Sequence, residues 1–460
     1  MTLPAVDSRS AVLHLSAATG GGVERYIRDL AANAPARHYC WHIGPGLDAL
    51  EDIPAHRFWP LENSSDGNAA ALARWLRASE IGIVHLHGVD EASRERLGRI
   101  ERAMAIPWIV TLHDLSFVNP SAFELPSLPA PDAAWLEEVA KTLARAAAIV
   151  VPSEFLRGIA RRHLPALSIE LVAPGLPLDQ AVIERHVPAE FAAQRPQHVV
   201  AIVGAIGPHK GSALLADLVA ALAGSDIGLV VIGYTDTEIT RGWRVAGRYY
   251  VHGAYLDADL AGLLAAYRVE VALFMNRMPE SFSYTLSEIW AAGIPAVVPD
   301  EGALGERVAK QGGGWRLPPG HSAAAAAKLL RQLFSPEYTA ELARVKSQID
   351  PHDGTRIPTL AAMSSAIDAL YQRFGLPRSS AGGDAPAARE ALEPLLAANL
   401  DGFAFRKELI RLAGEVVELK AAAAKLFEEN RKLADDKAAF DQLPLLVRKA
   451  LLRKAFRDRR

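Results

Sequence analysis

Glu280 and Glu288 lie eight residues apart in the run PESFSYTLSE, which continues as IWAAGIPAVVPD. Each carboxylate can accept several hydrogen bonds, so the pair suits a polyhydroxylated ligand such as a sugar or a ribose. The amides of Ser283, Tyr284 and Thr285 fall where this run turns into a helical pattern that ends at Gly293. A helix N-terminus offers free N–H groups and partial positive charge, which can hold a diphosphate without a metal. Lys210, in VGAIGPHKG, adds a cation between glycines. A solvated surface lysine is the plainer alternative. Gly20-Gly21-Gly22 precedes VERY, and glycines there let backbone approach a ligand closely. Thr111-Leu112-His113-Asp114 puts His113 at a strand end, where it serves either chemistry or simple capping. His85 and His87, in VHLHG, end another strand and are candidate acceptor contacts.

These loops must be positioned by regular elements, and the pattern supplies them. Apolar runs at 11–15, 81–86, 107–112, 147–151 and 169–173 read as strands. Helical patterns lie near 23–33, 68–79, 91–104, 132–145 and 154–163. The alternation implies a parallel sheet covered by helices on both faces. Prolines and turn signals break it at 174–197, after which strands resume at 198–203, 227–233, 248–252, 269–275 and 294–298. The expected architecture is α/β, with two doubly wound Rossmann-like domains at 1–180 and 190–358 facing a cleft. Ligands in such sheets bind beyond the carboxyl ends of the strands, where the candidate residues fall.

Composition excludes several classes. The 460 residues exceed one ordinary core, and a net charge of -3 argues against a broad nucleic-acid surface. The single cysteine, Cys40, allows no internal disulfide and favours a cytoplasmic setting; its apolar surroundings suggest an inert, buried thiol. The start, MTLPAVDSRS, lacks the pattern of a secretory leader, and no apolar run reaches the roughly 18 residues of a spanning helix. Asp257-Ala258-Asp259 spells DxD, a metal-holding pattern elsewhere, but it opens a helical segment where Asp is expected as cap and first-turn anion. No His, Cys or Glu cluster has metal-ligand spacing along the chain, so no metal is expected.

With a strand before it and AAGIPAVVPD after it, the context PExxxxxLxExxAxGxP resembles the donor-site motif of retaining GT-B glycosyltransferases, especially glycosyltransferase family 4 (group 1). The resemblance implies that Glu280 lies near the transferred sugar and Glu288 binds the ribose hydroxyls of the nucleotide. VGAIGPHKG is similar to the family's GRxxxxKG loop, whose Arg and Lys neutralise the diphosphate. Lys210 matches the lysine, whereas Ala205 stands at the arginine, with His209 and Arg277 the candidates to substitute. GGVERY resembles the first loop, implying that Gly21 and Gly22 reach the donor from the opposite domain. Thr111-Leu112-His113-Asp114 resembles the family's THD segment and implies His113 beside the reacting sugar. The implied set is Glu280, His113 and Lys210 for catalysis, and Gly21, Gly22, Lys210, Ser283, Tyr284, Thr285 and Glu288 for the donor.

The likeness spans roughly residues 11–375. It further implies a crossover helix at 359–375, a UDP- or GDP-linked sugar donor with no other cofactor, and a glycan or lipid-linked acceptor. Surface polysaccharide biosynthesis is the expected setting. A catalytically degenerate scaffold is the rival, supported by Ala205; an epimerase would need an acid/base carboxylate set that is not evident.

Beyond it, 376–395 reads as a linker. At 400–441, Phe405, Leu412, Leu419, Leu426, Leu433 and Phe440 take d positions and Asn430 an a position, which predicts a dimeric coiled coil through 405–440. A lone amphipathic helix is the alternative. The basic amphipathic tail at 443–460 suits an anionic membrane surface, and equally a solvated end.

Overall fold

Apolar strands buried on both faces build two sheets in this computed structural model, which describes residues 10–18, 21–44, 48–61, 69–122, 130–178 and 181–376. All of these belong to one unit within Met1–Gly402. The expected coiled coil and basic tail lie outside the described residues.

The first sheet contains β1 (Ala11–Ser16), β2 (Arg37–His42), β3 (Asp48–Asp52), β4 (Arg57–Leu61), β5 (Ile81–Leu86), β6 (Trp108–Thr111), β7 (Ala148–Val151) and β8 (Ile169–Leu171). Its order is β4-β3-β2-β1-β5-β6-β7-β8. The helices of this half are α1 (Gly21–Asn33), α2 (Ala69–Ala78), α3 (Glu91–Ala103), α4 (Ala133–Leu143) and α5 (Glu154–His163).

The second sheet contains β9 (His198–Ile206), β10 (Ile227–Thr235), β11 (Gly242–Val245), β12 (Tyr249–Gly253), β13 (Val271–Leu273), β14 (Ala296–Pro299) and β15 (Gly314–Leu317). Its order is β11-β12-β10-β9-β13-β14-β15. Around it lie α6 (Ala189–Ala192), α7 (Leu215–Ala221), α8 (Leu260–Tyr267), α9 (Tyr284–Ala291), α10 (Gly302–Gln311), α11 (Ala323–Leu333) and α12 (Thr339–Ser347).

Most pairs are parallel, as the apolar runs predict, but β2–β3–β4 and β11–β12 are antiparallel. The β3 strand escapes an apolar reading because ion pairs bury its charges. Asp48 accepts from Trp41 Nε1 (2.7 Å) and Arg96 Nε (2.8 Å), Glu51 meets Arg28 and His42, and Asp52 accepts from Arg37 (2.5 Å). Cys40, on β2, is fully buried, and burial pushes its thiol pKa up, so it is an inert core group.

Topology sets where a ligand can sit. In the first sheet the chain departs in opposite directions on either side of β1 and β5; in the second the same reversal falls between β9 and β13. Crevices open at such points, outside the carboxyl ends of the strands. The chain passes between the halves twice, side by side: Leu176 N donates to Pro358 O (2.9 Å) and Leu360 N to Leu176 O (3.0 Å). The last helix among the described residues, α13 (Leu360–Arg373), then lies on the first sheet. Its Leu360, Met363, Ile367, Leu370 and Tyr371 pack with Val12, Tyr26, Ile83 and Ile109. Among the described residues no helix is long and apolar enough to cross a membrane.

Candidate active site

The loops that follow β1, β6, β9 and β13 converge on one cleft of about 330 Å³. Gly22 and His113 line it from the first half, and His209, Lys210, Glu280 and Ser283–Thr285 from the second. Gly21 is not among the lining residues, and Gly20 lies outside the described ones.

The two loops of the second half brace each other. Arg277 N and Met278 N donate to His209 O at 2.8 and 3.1 Å. Gly211 adopts φ +82°, and a Cβ there would sit 2.2 Å from Met275 O, so only glycine lets the Lys210 turn approach β13 so closely. Lys210 Nζ then stands 3.9 Å from Glu280 Oε1, which also accepts from Asn276 Nδ2 at 2.8 Å. His209 lines the cleft beside Lys210, and burial and that lysine lower its pKa. Arg277 does not line it; its guanidinium donates to His321 O at 3.0 Å. Of the two residues expected to stand in for the absent arginine, only His209 lines the cleft, and its lowered pKa favours the neutral ring.

The start of α9 forms one wall of the cleft. Ser283 caps it, accepting from Leu286 N at 3.3 Å, from a backbone held at φ +72°. A non-glycine residue there is strained by about 1–2 kcal/mol. The amides of Tyr284 and Thr285 are first-turn groups without intrahelical partners. Arg307, buried behind them, supports the turn by donating to Phe282 O (3.2 Å), Ser283 O (3.0 Å) and Ser287 Oγ (2.7 Å). Burial pushes its pKa down to about 9. Neither Arg307 nor Asn276 stands out in the sequence, because each acts through contacts distant along the chain.

Glu288 is placed differently from the expectation. It does not line the cleft: its Oε1 accepts from Arg25 Nη1 at 2.5 Å, and the guanidinium lies over the Tyr284 ring, 4.7 Å from its centroid. Asp29 and Asp257 lie 3.6 and 3.5 Å from the same guanidinium. Burial raises the Glu288 pKa, partly offset by Arg25. The DxD pair is likewise divided, with Asp257 facing Arg25 and Asp259 accepting from Arg185 Nε at 3.0 Å. Both aspartates lie in the first turn of the helical segment, as expected, and Asp259 is the N-cap residue of α8, without a side-chain capping bond.

His113 is joined to a group that sequence spacing does not reveal. Its Nε2 lies 2.9 Å from His87 Nδ1; His87 Nε2 lies 2.8 Å from His14 Nδ1; His14 Nε2 lies 2.7 Å from His38 Nδ1. His85, paired with His14 across β1 and β5, bonds Tyr371 Oη and Thr111 Oγ1, each at 2.7 Å. His85 and His87 are therefore buried under the cleft rather than exposed as acceptor contacts. Ring nitrogens of His14, His85 and His87 fall within 4.8 Å of one another, a metal-compatible grouping that linear spacing fails to show. Burial holds these three far below the ordinary imidazole pKa and pushes His38 and His113 down to about 3.

Two Rossmann-like domains facing a cleft built from the strand-end loops of both define the GT-B fold. Sucrose-phosphate synthase from Thermosynechococcus elongatus shares it (TM-score 0.57, 16% identity, covering 79% of this chain and 99% of that one). So do a glycosyltransferase from Rickettsia africae (0.57, 16%, 80% and 98%) and Anabaena HepE in complex with UDP and glucose (0.55, 14%, 79% and 100%). Residues 20–180 match the family described as Glycosyltransferase Family 4, and residues 197–335 that described as Glycosyl transferases group 1. The chain belongs to this glycosyltransferase family. No curated protein matches it in sequence.

Proposed function

We propose that the chain is a metal-independent, retaining glycosyltransferase that moves a sugar from a UDP- or GDP-linked donor to a glycan or lipid-linked saccharide. Surface polysaccharide biosynthesis is the setting this acceptor class suits. The observation that carries the reading is the convergence of Lys210, Glu280, His113, Gly22 and the first turn of α9 on one cleft. Cation and helix dipole supply what a departing diphosphate needs, and a preorganised cleft makes each worth more than in water. That Asp257 and Asp259 face Arg25 and Arg185 supports assigning this charge to Lys210 and α9. HepE, of the same fold, has been solved with UDP and glucose, which supports the donor class. In the mechanism proposed, the diphosphate leaves toward Lys210 and the acceptor hydroxyl enters on the same sugar face from the first domain's side. Glu280 lies beside the developing oxocarbenium ion and His113 orients the sugar.

Release of nucleotide from UDP- and GDP-sugars tests this. Wild type turns over, and Glu280→Ala loses about a hundredfold or more. A wild-type protein that binds no nucleotide and releases none is instead the degenerate scaffold that Ala205 suggests. Thermal shift identifies the base: the matching nucleotide at 100 times its Kd adds about 2.7 kcal/mol.

The C-terminal segment completes the proposal as a dimerising coiled coil at 405–440 and a basic tail at 443–460 that attaches to the cytoplasmic face of an anionic membrane. Sedimentation of a protein ending at Leu376 decides the first part, since a surviving dimer rules the coiled coil out. Co-sedimentation with anionic vesicles decides the second.

A further inference from the structure

Four imidazoles run in series from the cleft into the first domain: His113, half-buried at the cleft, then His87, His14 and His38, which are buried. The sheet register creates the row. His38 is on β2, His14 on the adjacent β1, and His87 follows β5 on the other side of β1. Burial favours the uncharged form of each ring. A neutral imidazole has one N–H donor and one bare acceptor nitrogen. Each member of the row must therefore donate at one end and accept at the other, so the row has a direction.

The far end sets that direction. His38 Nε2 is buried without a partner. An orphaned N–H is rarer and harder to tolerate inside a protein than a bare acceptor. With Nε2 bare, His38 donates from Nδ1 to His14, His14 from Nδ1 to His87, and His87 from Nδ1 to His113 Nε2. His113 then carries its proton on Nδ1, its remaining polar atom, which has no partner among the described residues.

We infer that His38, His14 and His87 are positioning residues that fix His113 as the Nδ1–H tautomer, making it a hydrogen-bond donor, rather than an acceptor or a base, toward an oxygen of the sugar in the cleft. The role toward a sugar rests on the function proposed above; the tautomer does not. A metal at His14, His85 and His87 is the competing use of the cluster. All six of their ring nitrogens already have hydrogen-bond partners, so a metal would have to break at least one bond at each ring.

The test is the imidazole 15N spectrum of the full-length, histidine-labelled protein without substrate, with the His113 signals assigned from His113→Gln. The expected result is a protonated Nδ1 and a bare Nε2 on His113. His38→Leu, which removes the first donor, should abolish that tautomer bias and lower kcat about tenfold, the worth of one hydrogen bond. His38→Asn, whose amide N–H takes the place of Nδ1–H, should restore both. A wild-type His113 protonated on Nε2 overturns the inference even if His38→Leu does not fold. So does one equivalent of zinc bound with loss of the His14, His85 and His87 N–H signals. A protein with the expected tautomer but no turnover leaves this inference standing and overturns the proposed function instead.

Discussion

Arg25 Nη1 donates to Glu288 Oε1 at 2.5 Å, an ion pair that links α1 of the first domain to α9 of the second. The carboxylate expected to hold a ribose is thus engaged across the cleft. A carboxylate accepts several hydrogen bonds, so Glu288 can meet a ligand while keeping Arg25, and Asp29 and Asp257 hold the same guanidinium besides.

Arg25→Ala leaves Glu288 partly buried without its cation. We expect a loss of about 2 kcal/mol, the cost of an unpaired buried polar group. The loss depends on pH. Burial already raises the Glu288 pKa, and removing Arg25 raises it further. A carboxylate with a raised folded pKa contributes stability below its unfolded value, near 4.5, and loses it as pH rises through the folded value. The Tm gap between wild type and variant therefore widens from pH 5 to pH 8. A constant gap in thermal melts would show that Glu288 does not titrate in this way.

The buried histidines act in the opposite direction. Their folded pKa values lie below the unfolded value of 6.5, so the unfolded chain binds more protons in acid. Each contributes stability above pH 6.5 that declines by about 1.4 kcal/mol per pH unit as pH falls toward its folded value. Chemical denaturation should show stability falling steeply between pH 6.5 and 5. His113, pushed down to about 3, stays neutral over that range and puts no inflection into the turnover profile of the folded protein.

Lys210→Ala removes the cation beside Glu280 while leaving the backbone of its turn intact. Removing one electrostatic stabiliser of a leaving group lowers kcat/KM by about a hundredfold to a thousandfold. Steady-state kinetics should show this with Tm nearly unchanged, because the lysine is partly exposed. Retention of full activity would move the diphosphate away from Lys210.

Gly302 is not among the residues lining the cleft, yet it supports the Glu280 turn. It adopts φ +65°, and a Cβ there would meet Glu280 O at 2.8 Å and N at 2.9 Å. Ala303 N also donates to Glu280 O at 2.8 Å. Gly302→Ala should shift Glu280 and reduce turnover at least about tenfold, since catalytic groups tolerate little displacement. Kinetics with circular dichroism on the same sample separate this from unfolding.

The fold was legible in apolar runs such as AVLHL and HVVAIV, whereas β2 (RHYCWH), though buried along His38–Trp41, was not read as a strand. Nor was β3, because Asp48, Glu51 and Asp52 are buried by pairing with Arg96, Arg28, His42 and Arg37, partners that only the folded sheet supplies. The cleft residues carried local marks: a flanking glycine at Lys210, a helix start after Glu280, a strand end before His113. Glu288 carried the same marks, but its position depends on Arg25, 263 residues away. The histidine row depends on register as well, since His14 and His87 meet 73 residues apart.

The late position of α13 also bears on synthesis. Val12, Ile83 and Ile109 share one cluster with Tyr26 and Leu30 of α1 and with residues 360–371, so a ribosome that has made only the first domain presents a sheet face covered in part. That face stays adhesive until nearly two hundred further residues have been translated. The N-terminal half expressed alone should therefore aggregate, whereas co-supplying residues 355–376 as a peptide should return it to solution.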